Sequence, residues 1–241
     1  MLIGEDFEKI AVSLFDLQLF EPNALIGDTL IFIQALYYYY QIKKIENKTL
    51  FFHYWKIAFM LFGISFLLGG LGHFFFHYFG VFGKSFSWFG GIISVFFIEK
   101  ALISIHPDKS KKQILYKFIL LKLVVGCLLE LVVLCSFDLS QKQSIGLIIP
   151  SICSAIGLVY TLGYLGWKYS RIIASSFQYF YMSTFLLLPN LFIQGCKINI
   201  SPYFDRNDFS HLLLLLSSWC YYKAIKDYER NILLKHFHPT L

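Results

Sequence analysis

Charge is scarce in this sequence. Asp, Glu, Lys and Arg supply 15% of the 241 residues, and 57% of the residues are hydrophobic. An ordinary soluble domain carries about 25% charged residues. A soluble chain of this length has no interior large enough for so much apolar surface, so the bilayer is the expected solvent. Several signatures are also missing. There is no GxxxxGK[ST] phosphate loop and no GxSxG nucleophile elbow. The last apolar run has no mid-span lysine for a retinal Schiff base, because Lys223 falls at its inner end. The five cysteines form no CxxC spacing and sit mostly in apolar runs, so neither a disulfide nor a thiolate metal knuckle is expected. The first twenty residues lack the basic start of a secretory signal. No nucleic-acid partner is expected; membrane lipids are.

What is present is a series of runs long enough to cross a membrane, at about 20 apolar residues each. They fall at 22–41, 54–79, 82–105, 114–135, 144–166, 172–193 and 209–222. The expected fold is all-α, a polytopic protein of seven transmembrane helices over residues 22–226, with a tail over 227–241. Residues 1–21 place Ile3, Phe7, Ile10 and Leu14 at helical spacing with acids between them, which predicts an amphipathic helix along the membrane surface. Lysine and arginine favour the cytoplasmic side. They crowd the first, third and fifth connections and the tail, from Lys43 and Lys44 through Lys109, Lys111 and Lys112 to Lys223 and Arg230. The opposite side holds Lys9, Lys84, Lys142, Lys197 and Arg206. The N-terminus is therefore expected outside and the C-terminus in the cytoplasm, in a plasma (inner) membrane. The outer connection 194–208 reads as a loop able to act as a lid.

Orientation fixes which polar residues share a depth. Asp28 in the first span, His73 and His77 in the second, Glu130 in the fourth, and Asp208 and His211 at the mouth of the seventh all fall in the outer half. Ionisable residues in spans usually face a bundle interior or a water cavity. His73 and His77 are spaced to share one helix face, and could offer two imidazoles to a metal, with His211, Asp28 or Asp208 as a third ligand. Gly69, Gly70 and Gly72 would let a neighbouring helix approach His73 closely. Each residue also has a plainer reading. His77 sits near the interface, and Asp28 and Asp208 could cap helices. Glu99 beside Lys100 reads as an interfacial ion pair, and Lys122 as a snorkelling side chain.

The stretches "GGLGH" (69–73) and "NDFSH" (207–211) carry a resemblance. With seven spans and a histidine in spans two and seven, the chain resembles the CREST superfamily of alkaline ceramidases and progestin/adipoQ receptors. It also resembles uncharacterised bacterial multi-pass proteins with GGxxH and NDxxH motifs. The resemblance implies a Zn²⁺ held by His73 and His211, with His77 as a further candidate, and hydrolysis of a lipid amide or ester entering from the bilayer. Asp28 or Asp208 would orient the bound water or take its proton. The chain departs from the superfamily pattern in three places. Gly69 stands where the serine belongs, Leu215 replaces the second histidine of span seven, and span three lacks the aspartate. The same residues also suit a receptor-like or small-solute/proton transport protein with a titrating pocket.

Overall fold

Long apolar runs without internal breakers become helices, because only a helix satisfies its backbone internally where water is scarce. In a computed structural model that describes residues 1–140 and 143–237, these runs build a helical bundle with a small β layer at one end. Helix α1 is Pro22–Lys43, α2 Leu50–Phe74, α3 the single turn Phe76–Phe79, and α4 Phe82–Ser104. Pro22 opens α1 at a position where its missing N–H costs nothing. Helix α5, Lys109–Ser136, is capped by Asp108, whose carboxylate accepts the Lys111 N–H at 3.0 Å. A further rod joins α6 (Ile148–Leu158), a π-helical segment (Val159–Leu165) and α7 (Gly166–Ile172). Helices α8 (Gln178–Gly195) and α9 (Arg206–Phe237) complete the bundle. Lys142, placed on the outer side by the sequence, and residues 238–241 of the expected tail lie outside the described residues.

Among the described residues, four stretches are long and apolar enough to cross a bilayer: α2, α4, α5 and Ser144–Ile172, with mean hydropathies of 1.9, 1.6, 2.7 and 2.0. Helices α1, α8 and α9 carry more tyrosines, amides or charges along their length. α2 packs against α1 on one side and α4 on the other, and α8 packs against α9. One end of the bundle is aromatic: Phe51, Trp55, Tyr169, Phe177, Phe180 and Tyr221 are buried together, with Trp55 stacked on Phe180 at 5.3 Å. The other end holds Gly69, Gly70 and Gly72 of α2, with Asp28 and Lys84 buried beside them.

Two sequence expectations are corrected. Residues 1–21 are not a helix. Strand β1 (Leu2–Ile3) pairs antiparallel with β4 (Ile198–Asn199), and β2 (Ala11–Leu14) pairs with β3 (Leu17–Phe20) in a hairpin. Residues 11–20 therefore spend their backbone hydrogen bonds on each other rather than on a helix ladder. The 194–208 connection is tied to this segment as well: Asn199 Nδ2 donates to the Glu5 carbonyl at 2.7 Å, and Arg206 pairs with Asp6 at 3.1 Å. Second, α2 stops at Phe74, and Phe75 leaves the helical region (φ −95°, ψ 23°), so His73 and His77 lie on different helices. Helix α9 runs unbroken past residue 226 to Phe237, aided by the Lys223–Asp227 ion pair at 3.1 Å and a Lys226–Glu229 pair.

The hairpin turn holds Phe15 and Asp16 at φ 50° and 63°. Both belong to the left-handed region that a two-residue turn of this hand requires and that Asn-Gly fills best. The double change Phe15→Asn, Asp16→Gly is expected to stabilise the protein by about 1 kcal/mol, read as a higher thermal midpoint. A lower midpoint would mean that the Phe15 ring, 88% exposed here, packs against something essential.

Candidate functional site

Two histidine–carboxylate pairs gather at the glycine-rich end of the bundle. The first joins α9 to α1: His211 Nε2 lies 3.0 Å from Asp28 Oδ1, both side chains largely buried. Small residues make the approach possible. A Cβ on Gly27 would collide with the His211 ring. On α2, a Cβ on Gly70 would come within 2.9 Å of Asp28 Cβ, and one on Gly69 within 3.5 Å of Asp28 Oδ2 and 3.4 Å of Ser87 Oγ. The expectation that these glycines admit a neighbouring helix holds: Gly70 admits α1, carrying Asp28, Gly72 admits α4 at Gly83, and Gly69 faces both. His211 Nδ1 is buried with no hydrogen-bond partner. One turn deeper, Gln34 Nε2 donates to the Leu215 carbonyl at 3.2 Å, so the position where the superfamily places a histidine is here a backbone contact to α1.

The second pair was not visible in the sequence. His73 Nδ1 lies 2.7 Å from Glu21 Oε2, and Lys9 Nζ reaches the same oxygen at 2.9 Å. Glu21 sits just before Pro22 in a left-handed conformation (φ 49°, ψ 55°), uncommon for a residue with a side chain. Its N–H donates to the Ile10 carbonyl at 2.9 Å, which ties the bend to the hairpin segment. Burial pushes the Glu21 carboxyl up, but the His73 hydrogen bond and charge, with Lys9 and Lys84 behind them, hold it well below the ordinary carboxylate range. Lys84 is buried in the first turn of α4, at the start of the third apolar run. It lies within electrostatic reach of both Glu21 and Asp28, and so links the two pairs. Its ammonium and that of Lys9 both stand over the Phe76 ring, at 4.9 and 4.6 Å. The one available sequence signal was an acid abutting a proline at the head of a span.

Asp208 is brought to the same end, but in a structural role. Its Oδ2 accepts the Asp205 N–H at 2.8 Å and Asn23 Nδ2 at 2.8 Å. Asp205 in turn accepts the N–H groups of Asn207 at 2.7 Å and Asp208 at 3.2 Å. This is a reciprocal capping arrangement at the start of α9. Burial pushes the Asp205 carboxyl up; the Asp208 N–H opposes this and the Asp208 charge adds to it. His77 is exposed on α3, beside Phe20 and Tyr78, and outside the cluster. Glu130 is also outside it, buried on α5 among Cys127 and Cys153.

A zinc centre needs three protein ligands converging on one point. His73 and His211 each direct a ring nitrogen at a different carboxylate, and His77 belongs to neither pair. Among the described residues no group of three His, Cys, Asp or Glu side chains is placed to share an ion. What the cluster can do is hold and exchange protons, with two imidazoles and two carboxylates flanked by two ammonium groups.

A family model described as a family of unknown function, DUF6962, matches residues 24–230. No curated protein and no solved structure matches the chain.

Proposed function

The chain belongs to the family of unknown function DUF6962, which assigns it no activity, and we propose from its geometry that it is a proton-linked membrane transport protein. In this reading all seven long helical stretches cross the inner membrane, with the N-terminus outside, and the two histidine–carboxylate pairs form an outward-facing site. One observation carries the reading: each histidine has its own carboxylate, His73 with Glu21 and His211 with Asp28. Imidazole is the side chain whose charge ordinarily changes between pH 5 and 8. Beside a carboxylate the protonated imidazole is neutralised. When it gives up its proton, the carboxylate left behind is offset by Lys9 at Glu21 and by Lys84 at both carboxylates. Lys84 lies within electrostatic reach of both Glu21 and Asp28 and supplies positive charge to each pair. The β layer and the 194–208 connection roof this end and limit access to protons and small solutes.

The rival is the zinc-dependent lipid amide or ester hydrolase that the superfamily resemblance implies. One preparation separates the two. In proteoliposomes carrying an entrapped pH dye and a potassium diffusion potential, the wild type is expected to acidify the lumen, and Asp28→Asn to slow this by about tenfold or more. Metal analysis of the same sample is expected to find well under one zinc per chain. Absence of proton flux would end the transport reading. Stoichiometric zinc lost in His73→Ala would establish its rival.

A further inference from the structure

Away from this cluster, α5 presents an inverted helix. Its outward faces are apolar and exposed, including Leu120, Leu121, Val124, Val125, Leu128 and Leu131. The stripe it turns inward, Ile119, Lys122, Gly126 and Glu130, contains both of its mid-helix charged residues. The sequence suggested that Glu99 pairs with Lys100 at an interface, and that Lys122 snorkels. Instead Lys122 Nζ reaches across to Glu99 Oε1 of α4 at 2.8 Å and also donates to the Cys153 carbonyl of α6 at 2.9 Å. Lys100 turns away, onto Tyr54, Phe96 and Phe97. Gly126 and Gly157 allow this convergence: a Cβ on Gly126 would meet Cys153 Sγ at 2.7 Å, and one on Gly157 would meet Lys122 Nζ at 2.6 Å and Glu99 Oε1 at 2.9 Å.

Two turns along the same stripe, about 12 Å at 1.5 Å per residue, Glu130 is 0% exposed and neither of its oxygens has a partner. Glu99 Oε2 is likewise buried and unpartnered. Three ionisable groups therefore share one buried stripe, with a single ammonium for two carboxyls. Low dielectric requires near-neutrality there. With Lys122 charged, one carboxyl is a carboxylate and the other a carboxylic acid. The titratable groups facing Glu130 are Cys127 on its own helix and Cys153 on α6; Cys153 also lies within electrostatic reach of Glu99 and Lys122, between the two carboxyls. On α4, Lys84 belongs to the outer cluster and Lys100 to its aromatic cage. In the π-helical segment, Tyr160 stacks on Tyr164. That segment starts one residue after α6, with Thr161 Oγ1 bonded to the Gly157 carbonyl at 2.6 Å. Such irregular turns are frequent at functional sites.

We propose that Glu130 holds a buried, exchangeable proton as a carboxylic acid, while Glu99 is the carboxylate that Lys122 neutralises. The net charge of the three groups is then zero, and Lys122 keeps its bond to the Cys153 carbonyl. The inference uses no residue of the outer cluster, so it stands or falls separately from the transport reading.

Infrared spectroscopy of the protein in lipid nanodiscs tests it through the carboxylic-acid C=O band. The wild type is expected to show one buried acid whose band shifts on transfer to D₂O. Glu130→Gln is expected to leave Glu99 ionised and remove the band. Lys122→Met strips the counter-charge from both carboxyls and should raise the band to about twice its intensity. No acid band in the wild type, or a band that neither shifts in D₂O nor responds to Lys122→Met, would overturn the proposal. The wild-type isotope shift needs no variant to fold.

Discussion

Gly72→Ala is expected to destabilise the protein by about 3 kcal/mol, at the upper end of the usual overpacking range. A Cβ there would stand 2.5 Å from the Gly83 carbonyl oxygen, 2.7 Å from its carbon and 3.0 Å from the Lys84 nitrogen. All three are backbone atoms, so no side chain can swing aside to relieve the contact. Separation of α2 from α4 is the remaining outlet, and it moves both residues that flank the clash: His73 away from Glu21, and Lys84 away from the gap between Glu21 and Asp28. Gly69→Ala, whose nearest contact would be Ser87 Cβ at 3.3 Å, is expected to cost less than about 1 kcal/mol. Thermal unfolding of the two variants in the same detergent checks the contrast. Equal effects would mean that the α2–α4 approach at Gly72 is looser than described.

Glu21→Gln is expected to be nearly as damaging, at about 3 kcal/mol. The amide keeps the shape but removes the charge that His73, Lys9 and Lys84 share. The other members fare differently. Lys9→Met should cost under about 1 kcal/mol, because Lys9 is half-exposed and its charge is screened. The same pairing sets an acid limit. The folded Glu21 carboxyl lies well below its ordinary value of 4.5, so the native state holds this proton less readily than the unfolded chain does. Its stabilisation is complete above that ordinary value and is lost as pH falls below it. Wild-type midpoints should therefore drop on acidification below about pH 4.5 more steeply than those of Glu21→Gln, with the two curves converging at the acid end. Parallel curves would show that Glu21 is not the linked group.

The helices were legible because apolar length is a strong signal: each long run in the sequence became mainly helical, though the second breaks at Phe75 and the fifth changes helix type along its length. The glycines before His73 were legible too, since small residues in a span have few purposes besides close approach. Asp28 and His211 could be placed at one depth from orientation alone, and they meet. The remainder failed for identifiable reasons. Ile3, Phe7, Ile10 and Leu14 have helical spacing, but a hairpin turn at Phe15–Asp16 and pairing with Ile198–Asn199 decide their structure, and neither leaves a periodic trace. His77 was read as a partner of His73 because a four-residue spacing presumes an unbroken helix, which Phe75 interrupts. Glu21, Lys9 and Lys84 were hidden by sequence distance, being drawn from a strand end, the segment before a hairpin and the start of α4. Lys122 was read alone, whereas its partner Glu99 lies on a neighbouring helix.

The pairing of each histidine with its own carboxylate is the centre of this account, and double-mutant cycles on unfolding free energy test it most directly. Cycles between Asp28→Asn and His211→Gln, and between Glu21→Gln and His73→Gln, should each return a coupling of about 1 kcal/mol or more, while His73→Gln with His211→Gln should be additive to within about 0.5 kcal/mol. Strong coupling between the two histidines, with little between each histidine and its carboxylate, would contradict two separate pairs and point to a shared ligand.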